Sequence, residues 1–69
     1  MNEEKKTPHT PIEILKEALR KEQSSYTFYN DMLQQSTVGF VSDILEELRD
    51  AEFHHMKMIE KKIAHLELG

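Results

Sequence analysis

The chain has no cysteine and no tryptophan, and only two glycines and two prolines among 69 residues. Without cysteine there is no disulfide framework and no thiolate metal site. The absence fits a reducing compartment, so a cytoplasmic location is expected. No apolar run approaches the ~20 residues that span a bilayer, and the opening MNEEKKTPHTP is too polar for a secretory signal, so no membrane partner is expected. Dense basic runs are missing as well. With a net charge of −4 and a pI of about 5.5, the chain is not expected to bind nucleic acid. The acidic balance suits cations, although 32% charged residues also describes an ordinary soluble surface. A chain this short buries only ~60% of its unfolded surface, so self-association is expected from the start.

What is present is helical periodicity. Residues 1–9 are polar and read as a flexible tail. TPIE then reads as a helix start: Thr10 is a natural N-cap, Pro11 suits the first helical position, and Glu13 completes a capping box. The next break is QQSTVGF, where Ser36, Thr37 and Gly39 supply turn chemistry. The pattern predicts one helical hairpin over residues 10–69: a helix over about 11–35, a turn at about 36–38, and a helix over about 38–66. Each helix of ~25 residues is ~38 Å long.

In the first helix Ile12, Leu15, Leu19, Glu22, Tyr26, Tyr29 and Leu33 recur at steps of three and four. In the second, Val38, Val41, Leu45, Leu48, Glu52, His55, Ile59, Lys62 and Leu66 do the same. Such seven-residue repeats are the seams of helical bundles. Lys62 can bury its stem and reach water. Glu22, Glu52 and His55 have less reach and need another explanation.

Folding the chain at residues 36–38 makes the helices antiparallel and brings Glu22 and Glu52 to nearly the same height. His55 sits one turn from Glu52 on the same face. A buried carboxylate without a partner costs several kcal/mol. Neither expected seam contains an arginine, so a metal cation is the economical counter-charge. Oxygen and imidazole ligands without thiolates favour iron, manganese or zinc.

Each helix also carries a second apolar stripe: Ile14, Ala18, Phe28 and Met32 on the first, Ile44, Ala51, Met58 and Ile63 on the second. A lone hairpin cannot cover both. The expectation is an all-α homodimer, or a higher even-numbered oligomer, in which two hairpins form a four-helix bundle. A two-fold dimer would collect two copies of Glu22 and two Glu52-x-x-His55 pairs. That inventory matches di-iron carboxylate bundles, with roughly two iron ions per dimer. The other reading is a non-enzymatic helical dimerisation module, in which the same residues form a buried polar layer that fixes register.

The stretches ALRKEQSSYTFY, with Glu22 and Tyr29 seven apart, and RDAEFHH, with Glu52 and His55, resemble ferritin-like proteins. The likeness spans about residues 12–63 and is strongest to the rubrerythrin branch and to the two-helix half-ferritins, including encapsulated ferritins. The resemblance implies a four-helix bundle with Glu22, Glu52 and His55 as iron ligands and the site shared across a dimer. It implies oxidation of Fe(II) with oxygen or peroxide, in iron storage or oxidative-stress defence, and a place for Tyr29 beside the ligands, hydrogen-bonding a ligand carboxylate. The chain departs from these relatives in lacking the rubrerythrins' cysteine-ligated iron, in ending IAHLELG rather than in a targeting tail, and in having Ala51 where many carry an acid. His9, His54 and His65 read as solvated, and Met32, Met56 and Met58 as packing.

Overall fold

The computed structural model describes residues 10–69; the expected tail over residues 1–9, His9 included, lies outside them. Two α-helices, α1 (Pro11–Gln35) and α2 (Gly39–Leu68), pack against each other, and they are the only elements among the described residues. The start of α1 is the capping box that its sequence announces. Thr10 Oγ1 accepts from the Glu13 amide at 3.1 Å, and Glu13 Oε1 accepts from the Thr10 amide at 3.0 Å, with Pro11 in the first turn. Two of the amides left over at a helix start are thereby satisfied.

At the other end, the Ser36 amide donates to the Leu33 carbonyl and closes α1. The Ser42 hydroxyl donates to Ser36 Oγ at 2.9 Å, which ties the first turn of α2 back onto the connection. The cross-helix pairs establish the direction of packing: Asn30 meets Arg49, Tyr26 meets Phe53, Glu22 meets His55, and Lys16 meets Glu67. One number rises as the other falls, so the hairpin is antiparallel.

Every position of the expected α1 line, from Ile12 to Leu33, is half-buried. In α2 the inward line is different. The residues turned toward α1 are Ser42, Leu45, Arg49, Glu52, Met56, Ile59 and Ile63, again at steps of three and four. Leu45, Glu52 and Ile59 belong to the expected seam. Val41, Leu48, His55, Lys62 and Leu66 do not face inward and are exposed. The expectation of an arginine-free seam is corrected in the same way, since Arg49 lies on the inward line. Apolar character alone could not place that line, because two of its members, Ser42 and Arg49, are held there by polar partners on the turn and on α1.

Among the described residues only Ile63, 9% exposed, is buried. One side of the hairpin is left open. On α2 it carries Val41, Ile44, Leu48, Ala51, His55 and Met58, all exposed. On α1 the matching stripe is Ile14, Ala18, Ser25, Phe28 and Met32, of which Ile14 and Phe28 are exposed. Both stripes are rotated from the inward lines in the same sense seen down each helix. Antiparallel packing therefore puts them on the same side.

Candidate metal centre

Glu22 comes from the middle of α1, and Glu52 and His55 from successive turns of α2. The helices are continuous through all three, so the register of the hairpin alone determines how they meet. His55 Nδ1 lies 3.4 Å from Glu22 Oε1 and 3.5 Å from Glu52 Oε1. One ligand atom from each of the three residues falls within 4.8 Å of the others.

Their burial is graded. The Glu52 side chain is 18% exposed, while that of His55, at the edge of the open face, is 51% exposed. Glu52 Oε1 is shielded from solvent and accepts no hydrogen bond, although His55 Nδ1 lies 3.5 Å away. A shielded carboxylate oxygen without a donor is a costly arrangement that a cation relieves.

The donor set fits a divalent ion. Two carboxylates and an imidazole without thiolate suit iron, manganese or zinc. Ligand atoms sharing one ion at about 2.1 Å stand at most about 4.2 Å apart. Both His55 separations already satisfy this. Nδ1 is the nitrogen that faces the carboxylates, so an ion held between the three groups would meet Nδ1 and leave the ring proton on Nε2.

Among the described residues no hydrogen bond joins Tyr29 to this cluster. Its ring packs edge-on against Phe28 with centroids 5.5 Å apart, and its hydroxyl makes no hydrogen bond among the described residues. On the flank opposite His55, Tyr26 and Phe53 meet across the helices at 6.2 Å, and Lys57 Nζ lies 5.2 Å over the Phe53 ring. His54 stacks edge-on against Phe53 and is exposed, as expected.

Periodicity missed one residue near the site, Arg49, which lies one turn before Glu52. Its side chain is 27% exposed. Nε and Nη2 both donate to Asp50 Oδ1 at 3.1 Å, and Nη1 reaches Asn30 Oδ1 at 3.4 Å. All three nitrogens are thus engaged away from the site carboxylates. Comparison with protein-family models, with curated proteins and with solved structures yields no match.

Proposed function

We propose that the chain is a metal-binding half of a helical bundle, built to hold divalent ions between Glu22, Glu52 and His55. More particularly, the reading is a ferritin-like di-iron carboxylate protein of the half-ferritin kind, in which two hairpins form a four-helix bundle and share the site as a homodimer. The observation that carries it is the shielded Glu52 Oε1, which accepts no hydrogen bond and converges with a second carboxylate and an imidazole inside one chain.

Two further observations support it. A single hairpin offers only three ligand groups, which leaves two divalent ions far short of full coordination. The open apolar side runs past His55, so a second copy covering it would add its own Glu22, Glu52 and His55 at the same place. Two copies supply four carboxylates, which offset the charge of two divalent ions.

In this reading Fe(II) is the substrate. Two ferrous ions would give up one electron each, and with two protons taken from solvent this would reduce dioxygen to hydrogen peroxide, or hydrogen peroxide to two waters. Glu22 and Glu52 bind through carboxylate oxygens, and His55 through Nδ1 while Nε2 keeps the proton. The apolar side chains of the covered face exclude bulk water. Manganese or zinc would occupy the same donors without giving up electrons as readily as iron.

The test is stopped-flow Fe(II) oxidation by the wild type and by Glu52→Ala, which deletes a ligand from both halves of a shared site. Loss of the acceleration over free Fe(II) is the expected result. A variant as fast as the wild type would overturn the reading. The remaining interpretation would then be the dimerisation module, in which the His55–Glu22 contact is a register-setting polar layer.

A further inference from the structure

Arginine and an unpartnered carboxylate one helical turn apart ordinarily pair. The molecule itself shows the tendency: Lys57 reaches Glu60 at the same spacing and in the same chain direction, at 3.4 Å. Arg49 and Glu52 are also three apart on α2 and are neighbours on its inward line, well within mutual reach. Yet Glu52 Oε1 accepts no hydrogen bond, and the guanidinium is turned the other way. Asp50 accounts for the difference, because it accepts from two of the three guanidinium nitrogens, and Asn30 occupies the third.

We propose that Asp50 is a positioning residue for the metal centre: by holding the Arg49 guanidinium it keeps that cation off Glu52 and leaves the carboxylate free for a divalent ion. The inference rests on the metal-centre reading above. It assigns a task to an exposed acid that touches none of the three ligands. Without Asp50, two of the three guanidinium contacts vanish and the fork swings toward Glu52. The metal must then displace an internal cation before it binds. Competition from an ion pair of this kind weakens metal binding by about two- to fivefold.

The experiment is a Co(II) titration of the full chain, followed by calorimetry and by the visible bands of bound Co(II). Asp50→Ala should bind about two- to fivefold more weakly than the wild type, and Arg49→Gln in the Asp50→Ala background, which removes the competing cation, should bind more tightly than Asp50→Ala alone. Glu47→Ala removes an acid of the same charge from the same helix and should leave the affinity unchanged. An Asp50→Ala affinity equal to wild type overturns the proposal, as does an equal weakening by Glu47→Ala, which would reduce the effect to net charge. A wild type that binds no Co(II) overturns the metal-centre reading itself, and this inference with it.

A metal-free measurement tests the arginine directly. In a thermal double-mutant cycle of Arg49→Gln with Glu52→Gln, coupling should be absent in the native background and appear when Asp50 is alanine. Absence of coupling in both backgrounds overturns the proposal whatever the metal does.

Discussion

The two helices face the same neighbour, each other, yet they use their apolar residues differently. In α1 the line from Ile12 to Leu33 turns as one toward α2. In α2 the corresponding line divides: Leu45, Glu52 and Ile59 turn inward, while Val41, Leu48 and Leu66 stay exposed with His55 among them. The inward places beside them go to Ser42, Arg49, Met56 and Ile63. The apolar arc of α2 is wider than one neighbour can cover, and the polar pairs Ser42–Ser36 and Arg49–Asn30 decide which edge of it meets α1. Hydrophobic periodicity reports that a surface is to be covered, not by which neighbour. The site lies where the two lines of α2 diverge, with Glu52 on the inward side and His55 on the open one.

The largest effect should come from placing a charge on the open side. Leu48→Glu would bury an unpaired carboxylate in the proposed dimer interface at a cost of several kcal/mol, on the order of a hundredfold or more in Kd. Sedimentation velocity at micromolar concentration should show a dimer for the wild type and a monomer for the variant. A variant as dimeric as the wild type would mean that another surface pairs the chains.

A smaller effect is expected on the inward side. Ile63→Ala empties the one buried apolar position among the described residues, and should cost about 2–3 kcal/mol of stability by chemical denaturation. A loss below about 0.5 kcal/mol, the level of ordinary surface changes, would show that the inward line is not where the hairpin draws its cohesion. Removing the α1 cap with Thr10→Ala should cost about 1 kcal/mol by the same measurement, since the capping box serves two amides at once. The smallest effect on function belongs to Tyr29→Phe. The hydroxyl makes no hydrogen bond to the cluster within the chain, so Fe(II) oxidation should slow by less than about tenfold. A loss as deep as that of Glu52→Ala would place the phenol among the ligands.

Much of this molecule was legible in its residues. The start of α1 follows from Thr10, Pro11 and Glu13, the break from Ser36 to Gly39, and the meeting of Glu22 with Glu52 and His55 from helical rise alone. The ends of α2 fall within about two residues of expectation, at Gly39 and Leu68 rather than Val38 and Leu66. Two features were not legible, for one physical reason. The tilt of α2 about its own axis depends on pairwise contacts such as Arg49 with Asn30, and an arginine reads as solvent-facing until its acceptor is known. The open face was legible as a surplus of apolar residues, but its continuity past His55 depends on that same tilt.

Anaerobic Fe(II) titration of the purified chain, with the Glu52→Ala variant alongside, tests the central claim most directly. A break at about one ion per chain in the wild type, and its loss in the variant, is the result expected of Glu22, Glu52 and His55 shared across a dimer. Binding that is absent from the wild type, or equally strong in Glu52→Ala, would contradict it.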